Sequence, residues 1–379
     1  MTPVTNETQH DTSGSSLQDH ALPIEPSSCV AVVIVNHNGG DKLTKTIAAI
    51  ANQSRAVEKV VVVDSASDDG SPDHALQRYP QIELIKLEDN VGPCVTRNTG
   101  VEACAASSVL LLDSDVYVQA DTIEALIRAK QETGASVVCP RIVLVPEGDI
   151  QCEGATNHFL GTSGMRHGWM PIDQVEAERA AVPGAISAAL LVDRDFYKRA
   201  GGFDAILYFY YEDLEFSLRV RALGGTIVCE PDAVVLHDRG SGTAGLSFRG
   251  KGGYPARRMY LQLRNRLMLV LIYYRLQTLL VLLPALALYE GVSLGAAVAK
   301  GAGKQWFRAW SGIVSMRSEI RTRRRRIQRE RTTPDRDILS GGPVPLAPGF
   351  VSHPLVGFVV GVLNVCFGAY WKLAKHLIG

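Results

Sequence analysis

Three short runs of β-branched and leucyl residues, Val30–Val35, Val60–Val63 and Val109–Leu112, are separated by segments of helical length. Apolar runs this short, without polar alternation, are buried on both faces, and parallel neighbours need a crossover long enough for a helix. The pattern therefore restricts the chain to an α/β unit, a mostly parallel sheet flanked by helices. Between the runs lie Lys42–Asn52, the polar turn Asp64–Pro72, a further run Ile82–Leu87 and the helical stretch Thr96–Ala105. Asp121–Glu132 reads as a helix and Val137–Val145 as another strand. From Glu147 to about Pro183 periodicity is weak, which predicts mobile loops. Order returns at Gly184–Val192; a helix opening within Tyr208–Glu215 runs to about Leu223, and Thr226–Cys229 and Ala233–Leu236 read as two strands. A Gly-rich stretch, Gly240–Gly253, leads out.

The 379 residues carry 39 basic and 39 acidic side chains, a formal charge of zero that speaks against a nucleic-acid partner. The balance conceals a split, because residues 1–248 hold 18 basic against 34 acidic groups and residues 249–379 hold 21 against 5. Three regions follow: a polar lead-in over 1–28 expected to be disordered and lacking the pattern of a secretory signal, an α/β domain over 29–248, and a helical membrane-associated region over 249–379. Seven cysteines with no CxxC pair fit free thiols in a reducing cytosol.

In the last region Leu267–Tyr289 and Leu355–Trp371 approach the ~17–25 residues that span a hydrocarbon core. Arg275, Gln277 and Pro284 interrupt the first, so a broken hairpin or an interfacial helix fits better than a simple crossing. The basic linker 317–336, with Arg323–Arg326 consecutive, is expected to face anionic membrane lipid on the cytoplasmic side of a bacterial plasma membrane.

Ligands of open α/β sheets bind beyond the carboxyl ends of the strands, which here are Asn36–Asn38, Asp64–Asp69 and Asp113–Asp115. Two carboxylates one residue apart, Asp113 and Asp115, can share a hard divalent cation with a diphosphate, or simply form a turn. The pair Glu212-Asp213 at a helix start reads either as dipole-complementing acids or as a general base with a neighbouring acid that tunes it. His237, ending a strand, is either a structural histidine or a nitrogen ligand converging on Asp115.

These motifs, in this order, resemble a family 2 glycosyltransferase of the GT-A fold, of the bacterial rhamnosyltransferase-like kind, from about Val30 to His237. Val32–Asn38 resembles the first strand and base-contacting turn, Val62–Ser71 the nucleotide-binding loop, and Gly92–Gly100 the segment over the donor. Asp113-Ser114-Asp115 falls on the DxD motif, Glu212-Asp213 on the acidic pair and His237 on a metal-ligating histidine. The resemblance implies donor contacts from Asn36, Asn38, Asp64, Ser67, Asp69, Arg97, Asn98 and Asp113, and Mg²⁺ or Mn²⁺ on Asp115 and His237 with Asp113. It implies Asp213 as base and Glu212 as the group positioning the acceptor, in an inverting, metal-assisted single displacement. The sugar of a nucleoside diphosphate donor would pass to a lipid-linked or growing glycan, as in hexosyl transfer for cell-envelope polysaccharide. Gln305-Trp306-Phe307-Arg308-Ala309-Trp310 only approaches the Gln-x-x-Arg-Trp motif of processive synthases, favouring single addition. The rivals are a nucleotidyltransferase, for which the turn after the first strand offers only Gly39, Gly40 and Lys42, and a non-catalytic membrane-tethered scaffold that binds nucleotide sugars.

Overall fold

The computed structural model describes residues 21–239, 255–299, 301–345 and 354–379. Its first half runs β1 (Val30–Asn36), α1 (Asp41–Ala51), β2 (Val60–Ser65), α2 (Ser71–Arg78), β3 (Glu83–Leu87), α3 (Pro93–Glu102), β4 (Ser108–Asp113), β5 (Val116–Val118) and α4 (Thr122–Thr133). It continues with β6 (Val137–Leu144), β7 (Ile150–Cys152), β8 (Ala155–His158), β9 (Thr162–Met165), β10 (Ala180–Ala181), β11 (Ala189–Asp193), α5 (Arg194–Ala200), α6 (Glu212–Ala222) and β12 (Ile227–His237). The main sheet has the order β10-β12-β6-β11-β4-β1-β2-β3, with β5 and β7 attached to β12 and β6. Strands β1 to β4 are parallel where they pair, whereas β11 runs antiparallel to both β4 and β6, so the sheet is mixed.

Alternation along each strand explains the two layers. Val30, Val32, Ile34, Val60, Val62, Leu110 and Leu112 join one core with Leu43, Ile47 and Ile50 of α1 and Ile123 and Leu126 of α4. Their neighbours Ala31, Val33, Val61, Val63, Val109 and Leu111 join a second core with Val101 of α3, Tyr197 of α5 and Phe216 of α6. Successive side chains of a strand point to opposite faces, so uninterrupted apolar runs require helices on both sides. Close packing of α3 on β1 depends on Gly100, where a Cβ would lie 2.2 Å from Val33 Cγ1.

Three expectations are corrected. The stretch from Glu147 to Pro183 is not a set of loops: it forms β7 to β10, with Ile150, Gln151, Cys152, Asn157 and His158 buried, its signal diluted because the strands are two to four residues long. Thr226–Cys229 and Ala233–Leu236 are one strand, β12, whose register against β6 shifts between Glu230 and Val234. Before Cys29, Leu22 is buried and Ile24 bridges Val57, so the end of the expected lead-in packs on the domain; residues 1–20 and 240–254 lie outside the described residues.

The second half is helical: α7 (Ala256–Tyr273), α8 (Leu276–Ala299), α9 (Gly303–Ser315), α10 (Arg317–Glu330), α11 (Asp335–Ile338) and α12 (Pro354–Ala374). The apolar stretch expected from Leu267 divides at Tyr274-Arg275, and its first part is the buried end of α7. There it shares a third core with Phe159, Leu160, Leu214 and Leu218 of the α/β domain. Helix α8 and residues Val356–Ala374 of α12 are long and apolar enough to cross a membrane. The four consecutive arginines divide: Arg323 pairs with Asp204 at 2.6 Å, and Arg324 donates to the carbonyls of Leu271 and Tyr274. With Gln328 on Ile272 and Tyr273, α10 thereby caps the carbonyl end of α7. The linker is thus partly an interior brace, contrary to the expectation that it faces lipid throughout.

Candidate active site

Three groups of side chains meet where the strands end. The first joins the ends of β1 and β2, which are in register at Asn36 and Asp64. Asn36 Nδ2 lies 2.8 Å from Asp64 Oδ1 and 3.2 Å from the Ser67 and Ser71 hydroxyls. Asp64 also accepts from the Ser67 amide and hydroxyl, while the Asn38 amide donates to Ser67 Oγ at 2.8 Å and Asn38 Oδ1 accepts from Asp68. Asp69 accepts from Gly40 and Ser71. Burial raises its pKa, but those bonds outweigh it and hold the carboxyl below its ordinary value. Asn36 Oδ1 is buried without a partner among the described residues.

Arg97 organises the second group. Its Nη2 donates to Asp113 Oδ1 at 2.6 Å and to the Ser187 carbonyl at 3.2 Å, and the amide of Ser187 donates to Asp213 Oδ1 at 2.8 Å. The backbone of a single residue before β11, Ser187, therefore links the end of β4, through Arg97, to the start of α6. Burial pushes the Asp113 carboxyl up despite Arg97 beside it. Glu212 is pushed up to about 8, by burial first and then by Asp213, with Arg97 opposing, so at neutral pH it is mostly protonated. Glu212 Oε2, Arg97 Nε and Arg97 Nη1 are buried with no protein partner among the described residues. Unpartnered buried polar atoms are costly in a folded chain, and a polar ligand in the cleft would satisfy these.

The third group is Asp115 with His237, Oδ1 to Nε2 3.4 Å. Sequence reasoning missed Gln151, whose Oε1 lies 2.6 Å from His237 Nδ1. An amide oxygen only accepts, so the proton that this bond requires sits on Nδ1, and Nε2, the nitrogen facing Asp115, is left as the atom for a metal. An oxygen and a nitrogen donor this close fit a divalent cation whose other positions come from phosphate and water. Asp113, expected beside them, is instead held by Arg97, and among the described residues no three ligating groups gather around one point.

Asn98 departs from expectation. Its Nδ2 donates to the Phe203 carbonyl, and its Oδ1 accepts from Tyr197 and the Phe203 amide, so it fastens α3 to the loop after α5 instead of facing the cleft.

The acid pair rests on a strained approach. Tyr208, Tyr210 and Tyr211 have φ of 62°, 66° and 69°, a region costing bulky residues of order 1–3 kcal/mol each. Asn265 of α7, fully buried, donates to the carbonyls of Leu207, Phe209 and Tyr210 at 3.1, 3.0 and 2.7 Å. Arg264 adds bonds to Ile206 and Leu207. Below the loop, Tyr273 of α7 donates to Glu215, which also pairs with Arg219 at 2.5 Å. The clue in the sequence was Arg264-Asn265-Arg266, a polar triplet just before an apolar run.

Comparison with known proteins agrees with this construction. Residues 31–198 match the model described as glycosyl transferase family 2. N-acetylglucosaminyl-diphospho-decaprenol L-rhamnosyltransferase of Mycobacterium tuberculosis is 25% identical over 235 residues, 56% of this chain and 76% of that protein. Pre-mycofactocin glycosyltransferase of the same organism is 27% identical over 212 residues, 55% of this chain but 42% of its own length. Among solved structures, GalNAc-T7 with UDP, GalNAc and Mn²⁺ superposes with a TM-score of 0.53 at 18% identity, over 65% of this chain and 48% of that one, a likeness of fold. Strand order, cleft and matched residues together give residues 31–198, a little under half of this chain, a likeness to glycosyl transferase family 2.

Proposed function

We propose that the chain is an inverting glycosyltransferase that moves a sugar from a nucleoside diphosphate donor to a hydroxyl of a lipid-linked or growing glycan acceptor at the cytoplasmic face of a membrane. The observation that carries this reading is the Arg97 group, in which Asp213 is oriented by the Ser187 amide beside the buried Glu212. Asn36, Asn38, Asp64, Ser67 and Asp69 would bind base and ribose, and Asp113, steadied by Arg97, the ribose or sugar. Asp213 would take the acceptor hydroxyl's proton as that oxygen attacks the anomeric carbon opposite the leaving diphosphate. Glu212, as the acid, would donate a hydrogen bond that orients the acceptor, so no covalent enzyme intermediate is needed. Asp115 and His237, with Gln151 fixing the ring, are the residues to hold Mg²⁺ or Mn²⁺, which when bound would offset charge on the departing diphosphate. The relative whose name specifies a diphospho-decaprenol acceptor supports a lipid-linked substrate, and the two long apolar helices support a membrane location.

Asp213→Asn tests the assignment. Sugar transfer is expected to fall by about 10²–10⁴-fold, the usual contribution of a general base, while metal-dependent nucleotide binding, followed by calorimetry, stays as in wild type. Wild-type turnover in that variant would remove Asp213 from the mechanism, and full activity in EDTA would remove the metal.

A further inference from the structure

Outside the cleft, a cavity of about 450 Å³ lies between α7 and α9. Arg257, Arg264 and Arg308 line it together with Tyr208 and Tyr260, and among the described residues its wall has no carboxylate. The guanidinium of Arg257 stands 5.0 Å from the Tyr208 ring centre, and those of Arg264 and Arg308 each stand 5.5 Å from that of Tyr260. Stacking on tyrosines fixes the direction of the guanidinium planes but supplies no counter-charge. Three cations around one open volume repel one another, and an anion with several acceptor oxygens turns that repulsion into charge-assisted hydrogen bonds.

Position narrows the identity of the anion. On one side Tyr208 belongs to the strained loop four residues before Glu212, and its carbonyl abuts α3 so closely that a Cβ on Gly92 would lie 2.7 Å away. On the other side Arg308 belongs to α9, beside the exposed Phe307 and two residues from the exposed Trp310. Helix α9 packs against α8, whose Leu280 and Leu283 face outward. The cationic cavity thus lies between the proposed base and an apolar outer surface. A lipid-linked acceptor has the same three parts in the same order: the reacting hydroxyl, a phosphate or diphosphate, and a hydrocarbon chain.

We infer that Arg257, Arg264 and Arg308 form the phosphate subsite for such an acceptor, holding the mono- or diphosphate that joins its sugar to its lipid. The inference rests on the proposed lipid-linked acceptor and adds where its charged link is held. It also gives Arg308 a task distinct from the processive-synthase motif that its surroundings resemble.

The test is binding without turnover. The full chain in neutral detergent, in EDTA so that metal-dependent binding in the cleft is silent, is titrated calorimetrically with farnesyl diphosphate, farnesol and inorganic pyrophosphate. The double variant Arg257→Gln/Arg308→Gln, which leaves the Arg264 bonds to the loop in place, is expected to lose about tenfold or more in farnesyl diphosphate affinity, since each charge-assisted bond is among the stronger kinds. Farnesol binding should not change, and Arg257→Lys/Arg308→Lys should recover part of the loss. Pyrophosphate should bind through the same arginines, more weakly for want of the chain. Unchanged farnesyl diphosphate affinity in the Gln variant would overturn the subsite. So would a variant that loses only its binding to phosphatidylglycerol nanodiscs, because the arginines would then serve the bilayer surface. Arginine-dependent binding in a wild-type chain that transfers no sugar would leave the subsite standing and refute the catalytic reading, so the two fail separately.

Discussion

The α/β domain and the outer helices dispose of their apolar residues in opposite ways. Every residue of β1 and β2 is buried, whereas Leu276, Leu280 and Leu283 of α8 and Phe358 and Val365 of α12 are mostly exposed. The first arrangement is complete in water, and the second is completed by a hydrocarbon surface or another apolar partner. Helix α7 belongs to neither description. It lies in the basic half of the sequence, yet it fills the third core and holds the carbonyls of the loop before Glu212. The proposed line between chemistry and membrane attachment thus falls after α7, near Arg275, and not near residue 250 where the charge changes sign.

Removing the latch is the most severe way to challenge that line. Asn265→Ala takes this donor from the carbonyls of Phe209 and Tyr210 in a strained loop, while Leu207 keeps Arg264, at about 1–3 kcal/mol for a buried acceptor left unpaired. Transfer should drop by about 10–100-fold, as expected when a catalytic group shifts by a fraction of an ångström, with nucleotide affinity in the first group of residues unchanged. A variant with normal turnover would return α7 to the attachment region.

A smaller effect sharpens the other side of the comparison, the burial of Glu212 beside the partly exposed Asp213. In the folded chain Glu212 keeps its proton up to about pH 8, against an ordinary value of 4.5. Between those values the folded state binds the extra proton, so stability declines as pH rises, by up to about 1.4 kcal/mol per pH unit. Glu212→Gln should flatten that decline, measured as the urea midpoint of the full chain in detergent across this window. Identical slopes in the two proteins would mean that Glu212 is solvated.

What could be read from sequence follows from how locally each feature is encoded. The central strands are long apolar runs, so β1, β2 and β4 and the acidic groups at their ends were placed correctly. Asp113 and Asp213 are separated by 100 positions, and the link between them runs through Arg97 and the backbone of Ser187, which no periodicity announces. Gln151 sits on a three-residue strand in a stretch without a pattern, and its role is defined only by His237 across the sheet. Asn98 was misassigned because a motif position fixes where a backbone runs and not which way an amide turns. The apolar run from Leu267 was divided wrongly for a related reason: burial against Phe159 and Leu160 and burial in lipid demand the same residues.

The central claim is a single displacement with Asp213 as base, and the anomeric configuration of the product tests it most directly. With a nucleoside diphosphate sugar that the enzyme accepts, NMR of the glycoside at early time should show the configuration opposite to that of the donor. A product that retains the donor's configuration would require two displacements or a front-face reaction and would contradict the account.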